Sequence, residues 1–410
     1  MRVIISSRWI FPIFVSFLFI NSNSFTYSNN RLLNRTLYVG GDGPGNYSSI
    51  QDAINDAMPG DTIFVYDDSS PYYENVVIYK PIMLKGENKS TTMIIGNGKL
   101  HAIEVFADNV VITGFTVKNR KKFSSIYIEA NNTIIKNNIL INSSYGIIIN
   151  SCNSNYIERN TFTLNRWVGI HLYLSYNNLI LNNFIFQNKC DGIDLDSSDK
   201  NIIKNNSIVS NQIGIEIYKS NDNIIINNKI YRNIGIEAFI GSGICILDSV
   251  NNSIIENNVS NNECGISLVK TNDTKIENNT ISNQEAGITL SSSLNNSIMN
   301  NVILNNTNGL LIYRSTKNLI MYNKFLNNKR QAYFVNSFLN RWDRNYWDNW
   351  IGIGPKIIFG KIFTIPWVNF DWHPIKNQSF CNICPFQHAD LISKEILHNF
   401  CLESEEYRIE

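Results

Sequence analysis

A glycine recurs through the middle of this chain at an almost constant interval, opening the pattern Gly-(Ile/Leu)-x-(Leu/Ile) or, once, Gly-Ile-Ile-Ile. The glycines are Gly146, Gly169, Gly192, Gly214, Gly243, Gly265, Gly287 and Gly309, spaced 23, 23, 22, 29, 22, 22 and 22 residues apart. Ala332 stands in the place of the next glycine after another 23 residues. The long step carries a seven-residue insertion around Ile236–Ser242 (29 minus 22). A period held this tightly marks an array of stacked units, here from Asn131 to Asn336.

Within each unit a short β-branched run comes first, such as Asn201-Ile202-Ile203-Lys204, then asparagine, then a second apolar pair, another asparagine and the glycine strand. The runs are three to five residues long and no 3.6-residue period is sustained, so the units are strands and not helices. A unit of about 22 residues cannot bury its own apolar face, but stacked on its neighbours it can. The expected fold is all-β: a right-handed single-stranded parallel β-helix with 22–23 residues per coil and coils about 4.8 Å apart. Isoleucine fills inward positions. Asparagine tolerates left-handed backbone at the corners and bonds to the asparagine above and below.

Units such as "GIEIYKSNDNIIINNKI" resemble the β-helix repeats of the NosD family, of the carbohydrate-binding and sugar-hydrolase β-helix type with a pectin-lyase-like fold. The resemblance covers roughly Tyr38 to Ile375 and implies a secreted or periplasmic protein. It says little of function, because this solenoid hosts binders, lyases, hydrolases and adhesins alike. The copper binding implied by the family name finds few donors here. The histidines are His101, His171, His373, His388 and His398, only His171 lies in the regular repeats, and there is no Met-rich or His-rich tract.

The ends differ from the array. Residues 1–28 read as a signal peptide or an uncleaved anchor, with Arg2 and Arg8 before the apolar run Trp9–Ile20. Over 29–337 the β-helix is expected, with a capping helix near 48–57. There Ile50, Ala53, Ile54 and Ala57 share a face, Ser48 or Ser49 caps, and Pro59-Gly60 ends it. Such a helix hides the open end of the core. Residues 338–376 hold Trp342, Trp347, Trp350, Trp367 and Trp372 and read as an aromatic-rich C-terminal cap, with a sugar-stacking platform as the sharper alternative. The tail 377–410 holds Cys381, Cys384, His398 and Cys401, a weak zinc set beside the plainer reading of a disulfide or free thiols.

Lys and Arg total 35 against 34 Asp and Glu, so no basic field drives nucleic-acid binding. Chemistry is therefore sought on the outward face. In Gly-Ile-x-Leu the second and fourth residues point inward and x points outward. Coil by coil, x is Ile148, His171, Asp194, Glu216, Cys245, Ser267, Thr289 and Leu311. His171, Asp194 and Glu216 should stack, with Asp191 and Trp167 on the adjacent turns and Tyr173, Asp196 and Tyr218 two residues further on. His171, Asp191, Asp194 and Glu216 are the catalytic candidates. Trp167, Tyr173, Asp196 and Tyr218 are the ligand-binding candidates. Close carboxylates suit a glycosidase or a Ca²⁺ site. The plain alternative is an ordinary solvated sheet face.

"DGIDLD" at Asp191–Asp196 is also similar to a strand of polygalacturonase-type hydrolases, but no paired Asp-Asp, Gly-His-Gly or Arg-x-Lys follows it. The function expected is binding of carbohydrate or cell-envelope material, or a structural surface role. A polysaccharide hydrolase or lyase is the alternative. Membrane association would come only through an uncleaved N-terminal segment.

Overall fold

The computed structural model describes residues 35–119, 122–235 and 241–376. The segment 1–28 and the tail from 377, with its cysteines and histidines, lie outside the described residues. No helix among the described residues is long and apolar enough to cross a membrane.

The chain is an all-β, right-handed parallel β-helix of about 14 turns with one short helix near its start. Three inward ladders run its length. One climbs Ile126, Ile147, Ile170, Ile193, Ile215, Ile244, Ile266 and Ile288, each in register with the next. The second runs from Leu37 and Ile63 through Ile203 and Ile225 to Ile320 and Trp342. The third ends on Phe325 and Trp347. The isoleucines are fully buried, and each contributes about 2 kcal/mol of transfer free energy. Because the side-chain period is two, this registration forces the intervening residues outward on every coil.

The asparagines divide their work more finely than the sequence suggests. In Asn137-Asn138 and Asn182-Asn183 the first residue takes the left-handed turn. The second is buried and forms the ladder. Asn138 donates its backbone N–H to Asn160 Oδ1 at 2.9 Å, and Asn160 does the same to Asn183 at 2.9 Å. The turn position does not require asparagine: Arg159, Glu256 and Tyr322 adopt it too. What demands asparagine is the buried rung, which must accept from one coil and donate to a carbonyl of another.

Across the insertion the register holds. Ile213 pairs with Ser242 and Ile215 with Ile244, while residues 236–240 lie outside the described residues. At the last coil the glycine alignment shifts. Ala332 pairs with Leu310, so Gln331 and not Ala332 follows Gly309. The spacing stays at 22, and Ala332 stands in the inward row, one residue past the glycine column.

At the N-terminal end the helix Ile50–Asp56 is capped by Ser49, whose side chain accepts from Asp52 N. Ile50, Ala53 and Ile54 seal the core. The first coil finishes the job at both ends. Glu74 accepts from Ser49 Oγ, Ile50 N and Gln51 N, and Lys80 Nζ donates to the carbonyls of Ile54, Asn55 and Ala57. A carboxylate at the N-terminus and an ammonium at the C-terminus match the helix dipole.

At the C-terminal end the tryptophans separate into two groups. Trp342 and Trp347 are buried as the last inward rungs, and Trp347 stacks on Phe325 at 4.2 Å. Beyond them an antiparallel hairpin, Lys356–Ile362 with Ile365–Asp371, lies over the end of the coil stack. Trp367 and Trp372, on and just after the hairpin, remain more than half exposed.

Candidate functional site

The glycine strands set the site. Ile170↔Ile193 and Ile193↔Ile215 pair as inward neighbours, so His171, Asp194 and Glu216 fall in one outward row on three successive coils. Tyr173, Asp196 and Tyr218 form the parallel row two residues on. His171 Nδ1 lies 2.8 Å from Asp194 Oδ2, with the two side chains 20% and 17% exposed. Trp167 and Tyr173 are exposed at the edges, and the Arg166 guanidinium sits 5.8 Å from the Trp167 ring.

Asp191 is nine-tenths buried where its strand turns in from the corner. Burial pushes its carboxyl up to about 8, and the charges of Glu216 and Asp194 add to the shift. Glu216 rises to about 7, again from burial first and then from Asp194 and Asp196. Both carboxyls therefore hold protons close to neutral pH, beside an Asp194 carboxylate already engaged by His171. Such an arrangement can donate and accept protons.

Two members of the cluster were not visible in the sequence. The Tyr145 ring lies 5.6 Å from the His171 ring, and burial followed by the charges of Asp194, Cys190 and Asp191 raises its hydroxyl. Burial, Asp191, Glu216 and Asp194 likewise raise the Cys190 thiol. Both sit at the corner before the glycine, outside the x position that the repeat picks out. Their only sequence signal was a place one or two residues before a repeat glycine. Further down the x row stand Cys245, Ser267 and Thr289. Cys245 and Cys264 lie on neighbouring coils but three positions apart, since Cys264 pairs with Ser242 and Cys245 with Ser267. Cys152, Cys190, Cys245 and Cys264 are all free thiols.

Among the described residues no three His, Cys, Asp or Glu side chains converge as a metal-binding group. Each described histidine has its own partner: His101 Nδ1 lies 2.6 Å from Ser124 Oγ, His171 is held by Asp194, and His373 Nδ1 lies 2.8 Å from Asp343 Oδ1.

The folds of two solved proteins resemble this chain. The Dettilon tailspike protein matches with a TM-score of 0.60 at 16% identity, over 73% of this chain and 68% of that one. The alginate lyase AlyF-OU02, solved with G6, matches with a TM-score of 0.54 at 13% identity, over 82% of this chain and 91% of that one. At these identities the likeness shows the fold alone. No curated protein matches the sequence. A family model described as periplasmic copper-binding protein (NosD) matches residues 54–242 and 238–352. Among the described residues the three histidines stand apart, each bonded to its own partner. The matched residues span well over half of the sequence and carry the glycine and asparagine ladders described above, and on them the chain belongs to the NosD family.

Proposed function

We propose that this protein is an extracytoplasmic binder of polymeric carbohydrate, holding a sugar chain along the outward strip of His171, Asp194 and Glu216. The observation that carries this reading is the strip itself. Three coils in strict register present polar groups at about 4.8 Å intervals, flanked by the exposed rings of Trp167 and Tyr173. Carboxyl and imidazole groups bond sugar hydroxyls, and exposed aromatic rings pack against the apolar faces of pyranose rings. The family's periplasmic description supports the compartment, and the alginate lyase among the structural neighbours supports the ligand class.

A second reading, cleavage of the bound polymer, is favoured by Asp191 and Glu216, whose carboxyls keep protons near neutral pH. One experiment addresses both. Purified protein is incubated with a polysaccharide panel and scored for retention and for released product, as wild type and as Asp194→Asn with Glu216→Gln. A binder retains polymer and releases nothing in either form. Product release by the wild type, abolished in the double variant, replaces binding with catalysis. Absence of retention on every polymer overturns the carbohydrate reading.

A further inference from the structure

A concavity of about 660 Å³ opens at the corner of the early coils, lined by Tyr73, Asn97, Gly98, Lys118, Asn119 and Asn142 among others. None of its lining residues belongs to the strip. Its size falls within the range of roughly 300–1,000 Å³ typical of small-ligand pockets.

Local structure makes its floor rigid and its walls available. Met93–Ile95 and Thr116–Lys118 pair in parallel, with Lys118 level with Ile95 in the outward row. Asn119 is buried and ties the floor together. Its Oδ1 accepts from Gly98 N at 3.1 Å, and its Nδ2 donates to Leu100 O at 2.8 Å and Ser124 O at 3.0 Å. Asn97 N donates to Asn75 Oδ1 at 3.2 Å, and Asn97 Oδ1 accepts from Lys99 N at 2.8 Å. By contrast, the side chains of Tyr73, Lys118 and Asn142 have no hydrogen-bond partner among the described residues. Tyr73 is 71% exposed.

Among the described residues the lining contains one cation, Lys118, and no carboxylate. An unpartnered ammonium on a fixed strand, beside an open phenol ring and a primary amide, offers three complementary contacts. The ammonium takes an anion, the ring takes an apolar ring face, and the amide takes a hydroxyl. A pyranose ring bearing a carboxylate satisfies all three. Asn142 on the rim is three residues before Tyr145, whose ring contacts His171. The segment that bears Asn142 therefore leads in sequence to the residue packed against the strip.

We propose that the concavity around Tyr73, Lys118 and Asn142 is a subsite for an acidic, uronate-type sugar unit of the polymer held along the strip. The inference rests on the carbohydrate-binding reading above. It is tested by calorimetric titration of the full chain with hexamers of mannuronate, guluronate and galacturonate, and with a neutral cellohexaose control. Wild type should bind at least one uronate hexamer more tightly than the neutral one. Lys118→Gln and Tyr73→Ala should each weaken uronate binding by about tenfold, while Lys118→Arg keeps it. Unchanged melting temperatures confirm folding, since Tyr73 is exposed and Lys118 points outward. Uronate binding that is unaffected by both variants but lost in Tyr173→Ala overturns the subsite and leaves the polysaccharide reading standing. Neutral and acidic hexamers bound alike also overturn it. A wild type that binds no hexamer of either charge overturns both.

Discussion

Asn345 passes the asparagine ladder to Asp371: its backbone N and its side-chain Nδ2 both donate to Asp371 Oδ2 at 3.0 Å. Below this point every rung is an asparagine that accepts from one coil and donates to another. The last rung has no coil beyond it, so a group that only accepts is the right terminator. Asp371 is fully buried and also accepts from Arg344 N, Trp347 Nε1 and His373 N. The hairpin that carries it thereby closes the polar ladder, while Trp342 and Trp347 close two apolar ones.

Asp371→Ala removes the acceptor from five donors at once. We expect a loss of about 3 kcal/mol, concentrated in the last coil. Asp371→Asn keeps one oxygen toward Asn345 and should cost less. Thermal melts followed by tryptophan fluorescence report it, because Trp347 bonds this carboxylate directly. Equal melts for wild type and Asp371→Ala would show that the ladder ends elsewhere.

The glycine column is a packing requirement. At Gly192 an added Cβ would stand 2.6 Å from Gly214 O and 2.7 Å from Ile208 Cγ2. Neither a backbone oxygen nor a core methyl can move away freely. Gly192→Ala should therefore cost about 2 kcal/mol by overpacking, where alanine at a half-buried outward position such as Thr289, which has room for a side chain and loses only its hydroxyl's bond to Ser267, should cost less. Urea unfolding midpoints of the two variants decide it. A tolerated Gly192→Ala would mean the coils can separate at this column.

The array was legible because one physical demand repeats. An inward isoleucine every 22 or 23 residues and a glycine where coils touch produce a visible period. The outward row of His171, Asp194 and Glu216 followed from the same alternation. Features that occur once leave no period. Asp371 lies 26 residues beyond Asn345 and outside the repeat. Glu74 and Lys80 cap a helix that precedes them in sequence, and nothing local to either residue signals that role. Tyr145 and Cys190 join the site from corner positions. The corner path depends on how adjacent coils pack, which a single unit's sequence does not encode.

The N-terminal cap depends on the first coil as much as on its own sequence. Glu74→Ala leaves Ile50 N and Gln51 N without their acceptor, and Lys80→Ala strips a donor from three carbonyls. Each should cost about 1 kcal/mol, and Ser49→Ala a similar amount. Hydrogen exchange should show faster amides in Ile50–Asp56 for each variant, with the coils from Asn131 onward unchanged. Uniform acceleration along the whole chain would contradict a local cap.

The acidic cluster gives the protein a pH dependence with a defined sign. Asp191 and Glu216 have folded-state values near 8 and 7, above the ordinary carboxyl range reached on unfolding. Below about pH 4 both states hold the protons, and the groups contribute no difference. As pH rises from there, the unfolded chain ionises first while the folded site still binds protons. Stability contributed by these groups therefore falls through the window between about pH 4 and pH 8, and levels off above it. The titratable groups facing the pair are Asp194, Asp196 and His171, with Tyr145 and Cys190 at the corner and Cys245 on the next coil. Asp191→Asn and Glu216→Gln remove the ionisation with little change of shape. Both variants should match wild type near pH 4 and exceed it at pH 8, Asp191→Asn by on the order of 3 kcal/mol because it is the more buried. Chemical denaturation at the two pH values measures the difference. A wild type that grows more stable than Asp191→Asn as pH rises would show the carboxylate to be the favoured form in the folded site. The proton-donating chemistry assigned to it would then fall as well.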